Sequence, residues 1–328
     1  MKKFLLFLVS LLVGVGLFIG IIKFIGWPKI KNAFLVFTGW KGMVIFGLTL
    51  LMMIIGNWKW KEILREKEVK ISFWALFRPY LAGFAVMFLA PIFLWAGEIF
   101  RSYDLREKKQ IAFTKAMASV IIDRILEWTV NLGVIFFGAL FFLYKISLPP
   151  QNLLIIFGGV FLFFLIGISL FYFKAFKKES MAKVFGRFFN SQLDSKLLEI
   201  EKEVFNFFKP QKKSMWKVLG LSFFRAAIMY LRAWLLIIFL GKEISALPAL
   251  SILGFTYLAV IIPIPTALGS HEAVQTFAFN SLGLGISTAT AFTMIIRAAE
   301  LLFALAGVVI LFQLGVIFLK DFLFKNNQ

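Results

Sequence analysis

Ten charged residues stand where a strongly apolar sequence has little reason to carry any. Arg78, Arg124, Arg225, Arg232 and Arg297 lie in apolar segments, as do Glu98, Asp123, Glu127, Glu272 and Glu300. Each costs about 2.5–3.5 kcal/mol at the centre of a membrane span, so such groups must turn inward, toward one another or toward a wet cavity. Arg124 with Glu127 and Arg297 with Glu300 stand at i, i+3, the spacing of a helical ion pair. Arg225 and Arg232, one heptad apart, have no acid on their own helix. A planar guanidinium can grip two phosphate oxygens at once, so these two are the arginines whose setting points to an anionic ligand. His271, the only histidine, stands beside Glu272 and could relay a proton. With one His and no Cys, no ordinary metal site can be assembled, and no cofactor motif is present. No Asp-x-Asp or other catalytic signature occurs, so the chain reads as a binding or transport protein rather than an enzyme.

Two broken segments position these charges. Residues 261–300 begin as a span and then interrupt it: Pro263 and Pro265 each remove a backbone donor, and Gly269 permits a tight turn. His271 and Glu272 follow, and then a helix carries Arg297 and Glu300. Residues 91–127 repeat the plan, with Pro91, Gly97, Glu98, Arg124 and Glu127 answering Pro263, Gly269, Glu272, Arg297 and Glu300. Glu98 and Arg124 are 26 positions apart, Glu272 and Arg297 25, and both copies end in Arg-x-x-Glu. The offset is near 172–173. Paired Pro/Gly-interrupted apolar segments in two halves of a chain are the sequence mark of a transporter-type site built on an inverted repeat.

Composition sets the medium. Of 328 residues 61% are hydrophobic, 43 are Phe, and the mean hydropathy is +0.89, which places the chain in a membrane and leaves no separate soluble domain. The net charge of +19 then reads as basic loops facing anionic lipid, not as a nucleic-acid site. We read residues 1–328 as one all-α membrane domain of about six full spans plus two re-entrant hairpins. The first span is Phe4–Ile22, and the second lies near Lys41–Gly56. Trp58 and Trp60 mark its inner interface, followed by Lys59, Lys61, Arg65, Lys67 and Lys70. The first repeat half covers about 41–144 and contains a hairpin over Phe73–Gly97. Its basic loop (Arg101, Arg106, Lys108, Lys109) returns to the inner side. A long helix, Ala112–Tyr144, leads out and Asn152–Phe173 returns.

A connector over 174–217 carries amphipathic stripes, one through Met181, Val184, Phe185, Phe188 and Phe189, the other through Leu193, Leu197, Ile200, Val204 and Phe207. The second half, about 218–319, holds a span at Val218–Leu240, a hairpin at Leu247–Gly269 and a return helix at Ser287–Leu319. This arrangement puts 25 of the 36 Lys and Arg on one side and six on the other, which makes the richer side cytoplasmic, with both termini there, in a cell inner or plasma membrane.

Gly97-Glu98-x-x-Arg101, the Asp123-Arg124 pair, and Pro263-x-Pro265-x-x-x-Gly269-x-x-Glu272 followed by Arg297 resemble the transmembrane region of lysylphosphatidylglycerol synthases and its stand-alone, flippase-like relatives. Most of the chain shares the likeness. The family often has Gly-Gly where Ala267-Leu268 stand here, and an aliphatic residue at His271. The resemblance implies a protein that moves an anionic or aminoacylated phospholipid, or another lipid-linked headgroup, between leaflets, with a separate transferase as a partner. The chain ends at Gln328, soon after the last span, so synthase activity is not implied. The expected substrate-binding residues are Arg225, Arg232, Arg297, Glu300, Glu272, His271, Glu98, Arg124 and Glu127. The alternatives are a membrane-embedded transferase acting on a lipid-linked substrate and a non-transporting subunit of an envelope complex.

Overall fold

The computed structural model describes residues 39–89, 96–145, 151–177, 179–181, 195–261 and 270–325. These residues form ten helices: α1 (Trp40–Glu66), α2 (Phe73–Leu89), α3 (Ala96–Lys109), α4 (Phe113–Lys145), α5 (Gln151–Lys177), α6 (Ser195–Phe207), α7 (Lys213–Phe239), α8 (Ala246–Ile261), α9 (Ser270–Ser281) and α10 (Ile286–Lys325). Five of them, α1, α4, α5, α7 and α10, are long and apolar enough to cross a membrane, while α2 and α8 are shorter apolar helices. The protein is thus an all-helical polytopic membrane protein. The Phe4–Ile22 span lies outside the described residues, as do the breaks at Pro91, Pro263, Pro265 and Gly269 and most of the Met181–Phe189 stripe.

Several boundaries differ from the sequence reading. Helix α1 does not stop near Gly56 but runs to Glu66, through the expected interface. Trp60 is fully buried and donates its indole N–H to Ser119 Oγ at 3.0 Å, while Trp58 stays exposed. Hydropathy marked the end of the span at the first lysine, Lys59, but that lysine has a carboxylate partner inside the protein. Helix α7 begins five residues before Val218.

The helices pack reciprocally. Helix α4 lies chiefly against α8, α10 chiefly against α2, and α1 against α7. The short pairs α2–α3 and α8–α9 each pack together as well. Close approach needs residues without side chains. A Cβ on Gly307 would overlap the Leu81 carbonyl oxygen, and one on Gly254 would lie 3.4 Å from that of Val134. Leu81 and Gly254 are 173 positions apart, and so are Val134 and Gly307. The two contacts are the same contact made twice, with the glycine on opposite partners.

The helix ends obey the same offset. Glu68 and Gly241 follow α1 and α7 in left-handed conformation, with φ of 64° and 78°. Gln110 and Gly283 follow α3 and α9, with φ of 51° and 72°. In each case the next N–H reaches back to the last turn, as Val69 does to Leu64 at 3.0 Å and Leu284 to Phe279 at 2.8 Å, which is how a left-handed residue caps a helix. Gly accepts that conformation freely; Glu68 and Gln110 take it under the pull of the same packing.

One end of the bundle is tied by ion pairs: Lys67 to Glu203 at 2.8 Å, Lys217 to Glu62 at 2.9 Å, and Lys212 to Glu66. Helix α6 packs Ile200, Val204 and Phe207 against Ile122, Leu126 and Phe171, so these three residues of its apolar stripe face the bundle, while Leu197 stays exposed. Helix α5 keeps a broad apolar face exposed, including Phe163, Ile166 and Phe173, as a helix facing hydrocarbon does.

Candidate functional site

The interior charges converge on α4. Asp123, two per cent exposed, takes Lys59 Nζ of α1 at 2.8 Å and Arg101 Nη1 of α3 at 3.2 Å. Lys59 also donates to the Asp123 carbonyl oxygen at 3.2 Å. One turn on, Glu127 receives Arg124 Nη1 at 3.1 Å and Arg225 of α7, with Lys59 Nζ 4.0 Å away. Arg124 turns its Nε to Glu98 of α3 at 2.6 Å. Among the described residues the cluster therefore contains four cations (Lys59, Arg101, Arg124, Arg225) and three carboxylates (Glu98, Asp123, Glu127), an excess of one positive charge.

Arg101 is also clamped by rings, its guanidinium 4.0 Å from the Trp60 ring centre and 4.9 Å from that of Tyr80. That stacking replaces some of the hydration a buried guanidinium loses. Gly83 and Gly97 permit it, because a Cβ at Gly83 would meet the Arg101 stem at 2.6 Å, and one at Gly97 would overlap the Gly83 carbonyl.

A second, smaller pairing repeats part of this arrangement. Arg232 Nη2 of α7 meets Glu300 of α10 at 2.9 Å, and its Nη1 donates to Thr49 Oγ1 of α1 at 3.2 Å. Lys59 and Arg232, Glu127 and Glu300, and Thr49 and Ser222 are each 173 positions apart. Lys59 with Glu127 thus answers Arg232 with Glu300, and Ser222 stands beside Lys59 as Thr49 stands beside Arg232. Several members break the correspondence, Arg101 among them, which is answered by Val274. Arg225 is answered by Met52 and Asp123 by Ile296, so the richer cluster belongs to one side alone.

A small polar cavity, with room for about one water molecule, adjoins that richer side. It is lined by Lys59 from α1, Glu127 and Asn131 from α4, Ser222, Arg225 and Met229 from α7, and Tyr257 from α8. Five donor-bearing side chains and one carboxylate face a space between helices from both ends of the sequence.

Several expectations are corrected here. Arg225 and Arg232 are not without acids: Glu127 and Glu300 reach them from other helices. The cavity beside α7 and α8 is lined by Lys59 and Glu127. Glu300 pairs with Arg232. Arg78 does not turn inward; it is exposed and donates to Gln313 at 2.8 Å. His271 and Glu272 lie in the first turn of α9, and their side chains are outside the described residues. The expected pairing of Arg124 with Glu127 is present, and Glu98 meets Arg124 as well.

Lys59 and Arg101, read as residues of basic loops, are the site members missed. Two signals were available. Lys59 shares a helical face with Met52, Gly56 and Ile63, and it stands 173 positions before Arg232. Arg101 falls one turn after Gly97 and Glu98, on the face that packs.

Apolar helices long enough to span a bilayer, closed around an ion-pair network that hydrocarbon could not solvate, define a polytopic integral membrane protein with a polar interior. The chain matches the Lysylphosphatidylglycerol synthase TM region family over residues 7–307, and it belongs to that family. It is similar to a UPF0104 membrane protein of Methanocaldococcus jannaschii, 25% identical over 292 residues that cover 85% of this chain and 86% of the relative. A UPF0104 membrane protein of Pyrococcus horikoshii is 25% identical over 266 residues, 75% of this chain and 78% of that one. No solved structure matches.

Proposed function

We propose that the protein binds the anionic headgroup of a phospholipid or other lipid-linked substrate between its two halves and carries it from one leaflet to the other. The observation behind this reading is the polar cavity where α1 and α4 of the first half meet α7 and α8 of the second. It holds Lys59 and Arg225, and among the described residues the adjoining cluster has one more cation than it has carboxylates. A headgroup phosphate would meet Arg225 and Lys59 there, with Ser222, Asn131 and Tyr257 as further donors.

In this reading Glu98, Arg124 and Glu127 orient the cationic groups. Arg232, Glu300, Arg297, Glu272 and His271 form the corresponding path in the second half. The α2–α3 and α8–α9 pairs are re-entrant hairpins entering from opposite faces, an arrangement favoured by the reciprocal packing and the 173-residue correspondence. The basic end, with both termini, faces the cytoplasm across the cell membrane. The acyl chains remain in lipid while the headgroup crosses, so the cavity need enclose only polar atoms.

The test is reconstitution into vesicles with a fluorescent phosphatidylglycerol or phosphatidylcholine in trace amount, followed by quenching of the outer leaflet. Protein-dependent movement of the anionic lipid, faster than that of the zwitterionic one, is the expected outcome. Movement no faster than in empty vesicles for every anionic headgroup tried would overturn the reading.

A further inference from the structure

Glu127 is in an unusual position for a structural acid. It lines the cavity, and three cations from three sources converge on it: Arg225 from α7, Lys59 from α1 and Arg124 from its own helix. Its side chain keeps 16% of its exposure, whereas that of Asp123 keeps three. Asp123 already engages Lys59 and Arg101 directly, and Glu98 already engages Arg124. Without Glu127, those three cations would keep Asp123 and Glu98, and Arg225 would lose its only carboxylate among the described residues. Arg225 Nε already has no hydrogen-bond partner.

We propose that Glu127 is a tethered stand-in for the substrate. Its carboxylate fills the place of a phosphate oxygen pair between Arg225 and Lys59, and an incoming phosphate displaces it. This rests on the headgroup reading above and says how that site is held when empty. A carboxylate and a phosphate compete for the same bidentate donor, and both cannot occupy it. Met52 stands where a counterpart of Arg225 would be, so the same device is not repeated among the described residues. Glu300 is engaged by Arg232 at 2.9 Å, a group that also holds Thr49. Its tie joins helices, and it does not line the cavity.

An internal competitor has a signature that a structural acid lacks: its removal tightens binding. If Glu127 holds the site nine-tenths of the time, it weakens apparent affinity about tenfold. The experiment measures binding of two probes, inorganic phosphate and short-chain dihexanoyl phosphatidylglycerol, to the purified full chain in detergent by calorimetry. Glu127→Gln should bind one or both at least about tenfold more tightly than the parent. Glu127→Asp, which keeps the charge but draws it back by one methylene, should gain in the same direction by a smaller factor. Glu203→Gln, which removes a carboxylate far from the cavity, should not change binding. Tighter phosphatidylglycerol alone identifies a lipid headgroup as the ligand; a gain for phosphate as well identifies the phosphate group itself. A parent that binds one of these probes while both Glu127 variants bind it equally or more weakly overturns the tethered-anion inference and leaves the headgroup reading standing. If Glu127→Gln fails to fold, Glu127→Asp decides alone. If neither probe binds the parent or any variant, the headgroup reading falls, and this inference with it.

Discussion

Replacing Glu300 by Gln should cost far more than replacing its partner Arg232, and removing both should cost less than removing Glu300 alone. Arg232 is three per cent exposed, its Nε has no hydrogen-bond partner, and its remaining contact is the neutral Thr49 hydroxyl at 3.2 Å. Glu300→Gln keeps the shape and strands that guanidinium, at a cost of about 3–5 kcal/mol. Arg232→Met strands Glu300 instead, but its side chain is 22% exposed, so water can approach it. We expect about 1–3 kcal/mol for that change, the cost of an incompletely satisfied polar group. The double variant leaves no unpaired charge and puts a methionine in an apolar seam. Its stability should fall close to that of Arg232→Met, giving a coupling energy of at least about 2 kcal/mol. The assay is reversible unfolding in mixed micelles, read by the burial of tryptophan. Additive effects below about 1 kcal/mol each would mean that water reaches both groups, and the picture of a dry Arg232–Glu300 pair would be wrong.

Other outcomes follow from the same geometry. Gly307→Ala should destabilise by about 1–3 kcal/mol, because its Cβ meets the backbone of Leu81, which cannot swing aside; Gly254→Ala, with 3.4 Å of clearance, should be tolerated in the same unfolding assay. Burial pushes the Asp104 carboxyl above its ordinary value of 3.8 in spite of Lys108 at 3.3 Å. A raised value means that this group supports the fold when protonated and loses that contribution as pH rises through the raised value. Asp104→Asn should therefore match the parent in acid and exceed it at neutral pH, and a parent that is the more stable at neutral pH would contradict this. The chain has no cysteine, so single-cysteine variants are clean reporters: Glu107→Cys should be labelled only from the cytoplasmic side and Lys242→Cys only from outside, and the reverse pattern would invert the topology.

Much of this arrangement could be read from the sequence because it rests on strong, local signals. Long apolar runs marked α4, α5 and α10, while the Pro and Gly interruptions before α3 and α9 lie largely outside the described residues. Arg-x-x-Glu pointed to a correspondence between two halves. What escaped was tertiary. Nothing local in Trp-Lys-Trp says that Lys59 is one per cent exposed and meets Asp123. A lysine after an apolar run normally reaches for headgroups, and only the carboxylate on α4 reverses that preference. The partners of Arg225 and Arg232 were hidden for a related reason. Helical spacing reveals pairs within a helix, whereas these arginines cross between helices 98 and 68 positions apart. Extending the 173-residue correspondence past the broken segments would have paired Lys59 with Arg232 and brought α1 into the site.

The central claim is that the cations facing the cavity serve an anionic headgroup. The most direct measurement is the transbilayer rate of fluorescent phosphatidylglycerol in vesicles containing equal amounts of the folded parent, Arg225→Gln or Arg225→Lys. We expect Arg225→Gln to lose at least about tenfold of the protein-dependent rate and Arg225→Lys to recover part of it, because an ammonium keeps the charge without the two-pronged grip. Equal rates for all three would show that Arg225 only balances Glu127, and that the headgroup takes another route.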